Sequence, residues 1–144
     1  MHSILQLLSV DVSPLAIPVA GCTVRAGFPS PADDWSHERI DLAKLLVPHP
    51  ACTFFVKSGG LSMKDAGIGD GDLLVVDRYL RPLNGDIVVA VLDSDFTVKH
   101  FSKRNGVVRL SAANPTYPDI VPRDGQTMEI WGVVTACVKR FRKA

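Results

Sequence analysis

Hydrophobic and polar positions divide the 144-residue chain into two parts of different character. From Thr53 onward, short runs of β-branched and apolar residues alternate with short polar breaks. The runs read TFFVK, DLLVVD, DIVVAVL, FTVKHF, VVRLS and MEIWGVVTACVKRF. The breaks, such as GDGD, RPLNGD, KRNG and ANPTYPD, are made of the residues that tight turns require. This spacing predicts a mainly β protein, with a compact antiparallel β domain over residues 51–144.

Residues 1–50 show no comparable periodicity and are rich in proline. The stretches SPLAIP, GFPSP and VPHP place prolines where a regular helix or a central strand is disfavoured. We therefore expect an extended, mobile N-terminal arm with one helical turn around IDLAKLL, residues 40–46. The roughly 26 residues before GFPSP are too few for a helix-turn-helix module, so we expect no direct sequence-specific DNA binding.

Charge and composition exclude several classes of protein. The net charge of +1 gives no strong field for a nucleic acid or a membrane surface. VAGC at 19–22 resembles a lipoprotein cleavage box, but Asp11, Pro14 and Pro18 interrupt the apolar run that a signal peptide needs. No stretch approaches the roughly 20 apolar residues of a membrane span. We expect a cytoplasmic protein without membrane attachment.

The cysteines and histidines do not form a recognisable metal or disulfide pattern. The three cysteines are scattered singly, and the four histidines have no ligand spacing. We therefore expect neither a metal site nor another cofactor.

The segment KSGGLSMKDAGIGDGDLLVVD, residues 57–77, raises the question of whether Ser62 is a nucleophile. A serine hydroxyl needs a nearby base, and no GxSxG elbow or orienting carboxylate supports a triad with His100. Lys99 is a second candidate base because it interrupts the apolar strand FTVKHF. Burial there would lower its pKa from about 10.4, so that a neutral amine could accept the serine proton.

The residues around Ser62 allow both a catalytic and a structural interpretation. The backbone amides of Leu61, Ser62 and Met63 could form an oxyanion site, because the adjacent glycines permit a close turn. Alternatively, Ser62 only completes a glycine turn and Lys99 extends outward to solvent. Met63 is more simply explained by packing than by chemistry.

Four blocks in the chain, read in order, resemble one known family. They are AGFPSPADDW at 26–35, FFVKSGGLSMKDAGIGDGDLLVVD at 54–77, NGDIVVAVLDSDFTVKHF at 84–101, and WGVV at 131–134. Ala26 precedes Ser62 by 36 positions and Ser62 precedes Lys99 by 37. Order and spacing resemble the self-cleaving LexA/UmuD proteins of the bacterial DNA-damage response, and its UmuD branch in particular.

The resemblance implies a β-clip domain like those of LexA and signal peptidases, and a role for each matching residue. Ser62 is then the nucleophile, Lys99 the general base, and Ala26–Gly27 the bond that is cut. Residues 1–26 form the arm that cleavage removes, residues 27–50 an extended linker arm, and residues 51–144 the catalytic domain.

The resemblance also implies three partners. The filament of RecA on single-stranded DNA activates cleavage, and the shortened product forms a homodimer. This dimer serves a UmuC-like Y-family polymerase in translesion synthesis. The late apolar strand MEIWGVVTACV, residues 128–138, is either an edge of that dimer or part of the core.

Three other classes compete with this hypothesis. A non-catalytic polymerase-binding β domain would share the fold and lack self-cleavage. A LexA-type repressor fragment would need a DNA-binding domain, and a signal peptidase would need a membrane anchor. Loss of self-processing after Ser62→Ala would separate the self-cleaving protein from the non-catalytic domain.

Overall fold

The computed structural model describes residues 13–20, 24 and 35–142. The chain divides into two compact units, Met1–Ala51 and Cys52–Ala144, which are described one after the other. The proposed cleavage residues Ala26 and Gly27 lie outside the described residues, and so does most of the predicted arm.

The first unit contains a pair of strands that the proline-rich sequence did not predict. Strand β1 (Ala16–Ala20) pairs antiparallel with strand β2 (Trp35–Asp41), with Pro18 opposite Arg39. A two-stranded sheet leaves each strand one unpaired edge, where a residue without an N–H is tolerated. The strand β1 is therefore compatible with the expectation that prolines disfavour a central strand, but its pairing with β2 was not predicted.

A short helix, α1 (Leu42–Leu46), follows directly after β2. The helical turn predicted around residues 40–46 is present, but its first two residues end the strand instead. Asp41 caps the helix, because its carboxylate accepts hydrogen bonds from the Ala43 and Leu15 N–H groups, both at 3.0 Å. These donors, that of Leu15 first, hold the pKa of Asp41 below its usual value.

The second unit is a six-stranded antiparallel sheet, which confirms the predicted fold class. Its strands are β3 (Thr53–Lys57), β4 (Leu73–Asp77), β5 (Ile87–Leu92), β6 (Asp95–Arg104), β7 (Val107–Ser111) and β8 (Met128–Val138). They lie in the order β3-β4-β8-β5-β6-β7. All six coincide with apolar runs in the sequence, because β-branched residues suit a half-buried pleated surface.

Two groups of buried side chains hold this sheet. One group contains Met63, Ile68, Leu74, Val76 and Val89, and the other contains Val88, Ala90, Phe101, Leu110 and Val133. Val88 and Val89 are neighbours on β5 that belong to different groups, because successive side chains of a strand point to opposite faces. The sheet is therefore covered by apolar contacts on both faces near its centre.

Strand β8 lies in the middle of the sheet and not at its edge. It pairs with β5 over residues 128–134 and with β4 over residues 133–138. This position between two strands supports the interpretation of residues 128–138 as part of the core, and a role of the strand in a dimer stays a prediction. Among the described residues, the outermost strands of this sheet are β3 and β7, and Leu110 of β7 exchanges two backbone hydrogen bonds with Ile120 on its outer side.

No helix among the described residues is long and apolar enough to cross a membrane.

Candidate active site

Ser62 lies in the turn that follows β3, just before a single 3₁₀ turn at Lys64–Ala66. Gly60, two residues earlier, has a φ of 79°, a conformation that residues with side chains rarely adopt. Its N–H donates to the Asp70 carboxylate at 2.8 Å. The glycine therefore allows the sharp reversal, and Asp70 fixes it in place.

A second glycine-rich turn, residues 67–71, is hydrogen-bonded to the start of the turn that carries Ser62. The Ser58 hydroxyl donates to the Gly69 carbonyl at 2.6 Å, and the Gly69 N–H donates to the Asp72 carboxylate at 2.7 Å. Asp72 also forms an ion pair with Lys139, just beyond β8. The Lys139 ammonium, followed by the Gly69 N–H, lowers the pKa of Asp72. The turn carrying Ser62 is thus connected, through Asp72 and Lys139, to the end of β8.

Strand β6 carries Lys99 to the same place. Only 8% of Lys99 is exposed, and its Nζ lies 3.0 Å from the Ser62 Oγ. Nζ also lies 3.0 Å from the Thr97 Oγ1 and 3.1 Å from the Val98 carbonyl oxygen. The structure therefore brings the two predicted residues into direct hydrogen-bond contact, although 37 positions separate them.

The surroundings of Lys99 favour its neutral form. Desolvation by burial lowers the pKa of Lys99 from the ordinary lysine value of 10.5. The three oxygen contacts are compatible with the ammonium and with the neutral amine: in the neutral amine, two N–H groups can donate to Thr97 and Val98, while the lone pair accepts from the Ser62 hydroxyl. The arrangement can therefore withdraw a proton from serine, which is the requirement for a serine nucleophile.

A cleft of about 330 Å³ opens beside the two side chains. Its walls are mostly apolar and include Val56, Ile68, Val89, Phe96, Val98 and Tyr117. Phe96 is 54% exposed and contacts the Trp131 ring edge-on, with ring centroids 5.8 Å apart. An open, apolar cleft next to a polar pair can hold an extended peptide.

The other residues discussed around Ser62 have distinct positions. Leu61 lines the cleft with a side chain that is 55% exposed, whereas Met63 is 3% exposed and belongs to the core. Met63 therefore packs, as predicted. His100 follows Lys99 on β6 and so points to the opposite face, where its Nδ1 lies 3.4 Å from the Gly85 carbonyl.

Two neighbours of the pair, Thr97 and Asn114, were not singled out from the sequence. Thr97 could have been found, because a residue two positions before Lys99 on a strand points to the same face. Asn114 gave no such signal: it lies in the turn ANPTYPD, and its contact with the Ser62 turn spans 53 positions.

We expect Thr97→Val to lower the pKa of Lys99 further. The substitution removes an oxygen that accepts from the ammonium form and adds a methyl group beside it, and both changes disfavour the charge. The measurement is a titration of the Lys99 side-chain carbons by NMR. The control is Thr135→Val on β8, whose Oγ1 bonds to Val75 and not to Lys99. A pKa that stays constant or rises in Thr97→Val would contradict this assignment of the contacts.

Within the described part of the chain, no group of three or more His, Cys, Asp or Glu side chains could hold a metal ion.

Comparison with known proteins relates most of the chain to one family. The sequence model of the family described as Peptidase S24-like matches residues 18–135. Protein SamA of Salmonella typhimurium is 44% identical over 117 residues, which cover 81% of this chain and 81% of SamA. Protein MucA of Escherichia coli is 40% identical over 122 residues, which cover 83% of this chain and 82% of MucA.

One further relative is longer than this chain, so the match covers only part of it. The LexA repressor of Paracidovorax citrulli is 35% identical over 128 residues, which cover 89% of this chain but 56% of the repressor. The similarity to SamA and MucA, by contrast, covers about four fifths of this chain and about four fifths of each relative. The chain therefore belongs to the Peptidase S24-like family of self-cleaving serine peptidases, on the UmuD-like branch of the LexA/UmuD proteins.

Proposed function

We propose that this chain is a UmuD-like SOS mutagenesis protein that cuts its own Ala26–Gly27 bond, with Ser62 as nucleophile and Lys99 as general base. The supporting observation is the 3.0 Å contact between the Lys99 Nζ and the Ser62 Oγ, made by a lysine that is 8% exposed. A lysine with this degree of burial has a lowered pKa, and a serine in its reach can lose its proton.

The reaction has two stages. In the first, Lys99 takes the hydroxyl proton as the Ser62 oxygen bonds to the Ala26 carbonyl carbon, and the Ala26–Gly27 bond then breaks. Lys99 returns the proton to the departing Gly27 amine. In the second, Lys99 accepts a proton from water, which attacks the ester, and Ser62 leaves with that proton restored.

The sequence around the proposed bond suits this cleft. Ala26 has a small side chain and Gly27 has none, so the bond can approach Ser62 without steric conflict. Pro29 and Pro31 favour an extended chain just beyond it. An extended peptide is the form that a β domain accepts alongside its strands.

Self-cleavage has to be restrained until it is needed. A docked arm with a small population gives slow cleavage, and a partner that binds the docked state more tightly raises its population. We assign this role to the RecA filament on single-stranded DNA. The product, residues 27–144, then acts as a homodimer that serves a UmuC-like Y-family polymerase. The competing function is a polymerase-binding β domain that makes the same contacts without cleavage.

The test is to incubate the purified chain at pH 7 with RecA, ATP and single-stranded DNA and to weigh the products by intact mass spectrometry. The proposal requires fragments of residues 1–26 and 27–144, formed faster than without RecA. Omitting the single-stranded DNA is the control for the filament. An intact chain under activation and at pH 10 would leave the non-catalytic domain as the function, and cleavage at another bond would refute the assignment of Ala26 and Gly27.

A further inference from the structure

Asn114 connects a distant loop to the turn that carries Ser62. Its Nδ2 donates to the Leu61 carbonyl oxygen at 2.9 Å, and only 7% of the residue is exposed. Its Oδ1 accepts from the N–H and the hydroxyl of Thr116, at 3.1 and 2.9 Å. Because the Thr116 N–H can only donate, the oxygen of the amide has to face Thr116 and the nitrogen has to face Leu61.

The Leu61 carbonyl is held by two donors. Besides Asn114, the Lys64 N–H donates to it at 3.2 Å, which closes the turn around Ser62. The same loop makes two more contacts with this turn. The Asp65 N–H donates to the Ala113 carbonyl at 2.8 Å, and the Ala113 N–H lies 3.4 Å from the sulfur of Met63. The loop and the turn therefore form one connected unit.

Fixing the Leu61 carbonyl also fixes the Ser62 N–H. The two groups belong to one planar trans peptide, in which the C=O and the N–H point in opposite directions. With the carbonyl directed toward Asn114, the Ser62 N–H points away from that loop. Among the described residues, it meets no protein acceptor. It is thus free to donate to an oxygen that develops negative charge beside the Ser62 Oγ.

We propose that Asn114 is a positioning residue for the Ser62/Lys99 reaction: through the Leu61 carbonyl it sets the plane of the Leu61–Ser62 peptide, and so aims both the Ser62 N–H and the Ser62 Oγ. This inference rests on the proposed function, because it concerns the same cleavage. Asn114 has no hydrogen bond to Lys99. It therefore affects the orientation of the Ser62 Oγ and N–H, and not the base.

The test replaces the amide nitrogen with oxygen. Asn114→Asp keeps the shape and the acceptor for Thr116, but it places a carboxylate oxygen against the Leu61 carbonyl. Misplacing reacting groups by about 1 Å lowers rates by about 100-fold, and losing one oxyanion donor lowers them by about 100- to 1,000-fold. We therefore expect the plateau rate of self-cleavage, reached above the pKa of Lys99, to fall by about 100-fold, a loss that a shift in the pKa of Lys99 cannot produce. A purely structural role would lower the melting temperature and leave the rate of the folded protein unchanged.

The control is the same substitution at a distant asparagine. Asn84 also exchanges hydrogen bonds with a backbone, since its Oδ1 accepts from the Lys103 N–H at 2.6 Å, and it does not line the cleft. Asn84→Asp changes the net charge equally and should cleave at the wild-type rate. Labelling of Ser62 by a fluorophosphonate gives a second readout, and it should be slower in Asn114→Asp and unchanged in Asn84→Asp.

The outcomes separate the two proposals. If the wild-type chain fails to cleave, the proposed function fails. If the wild-type chain cleaves and folded Asn114→Asp cleaves and labels equally fast, only the role of Asn114 is refuted. Asn114→Ala removes the donor without adding a charge, and its cleavage rate should lie between those of the wild type and Asn114→Asp. It serves as the test variant, by the same criteria, if circular dichroism shows that Asn114→Asp is unfolded.

Discussion

Ser62→Ala should leave the chain uncut under every condition that cleaves the wild type, a loss of at least about 10,000-fold. The alanine has no oxygen with which to form the ester, and the remaining groups cannot replace it. Ser62 lines the cleft, and the Lys99 amine lies 3.0 Å from its Oγ. The measurement is the yield of fragments by intact mass after incubation with the RecA filament and at pH 10.

A second serine serves as the control for Ser62→Ala. Ser102 lies on β6 near Lys99 in sequence, and its hydroxyl faces the Arg109 carbonyl at 3.5 Å, outside the cleft. Ser102→Ala should cleave at the wild-type rate. Fragments from folded Ser62→Ala at the wild-type rate would exclude Ser62 as the nucleophile.

Lys99→Met should have the second largest effect on self-cleavage. It should slow the reaction and also stabilise the folded protein. It removes the amine that takes the Ser62 proton, so cleavage should fall by about 1,000-fold or more and lose its dependence on pH up to 10. The methionine side chain keeps an apolar stem of similar length in the same site. Lys103→Met, on the same strand and exposed, should leave cleavage unchanged.

The same substitution should make the folded protein more stable at neutral pH. The pKa of Lys99 is lower in the folded chain than its ordinary value of 10.5, so below that folded pKa folding retains a buried charge at a cost in free energy. As pH rises from the folded pKa to 10.5, the unfolded state binds more protons and the penalty disappears.

The free energy of unfolding of the wild type should therefore approach that of Lys99→Met as pH rises through this window. Chemical denaturation of both proteins between pH 7 and 10.5 measures the difference. A difference that is constant over this range, or one that favours the wild type at pH 7, would contradict the assigned burial of the charge.

The sequence predicted the strands of the second unit well, because each has an apolar run bounded by turn residues. The strand predictions that failed did so because a local pattern does not report pairing with a distant strand. FTVKHF covers only the middle of β6, since its polar end at Lys103 and Arg104 is held by pairing with β7 and not by burial. The β1–β2 pair was missed because the Pro18 signal against strands is local, whereas pairing across the intervening residues is not.

The candidate site was accessible from the sequence only in part. Lysine within an apolar strand marked Lys99, and a glycine turn marked Ser62, but their contact came from family resemblance and not from any local pattern. The role of Asn114 depends on a hydrogen bond that only the folded chain creates. The position of β8 could not be settled either, because an apolar strand has the same sequence pattern at an edge and in the centre.

The most direct test of the Ser62/Lys99 proposal is the rate of self-cleavage of the full chain as a function of pH, followed by intact mass without any partner. If neutral Lys99 is the base, the rate rises tenfold per pH unit and levels off at the pKa of Lys99, below 10.5, with fragments of residues 1–26 and 27–144 throughout. A rate that does not change with pH, or one that rises without levelling beyond 10.5, would show that Lys99 is not the base that activates Ser62.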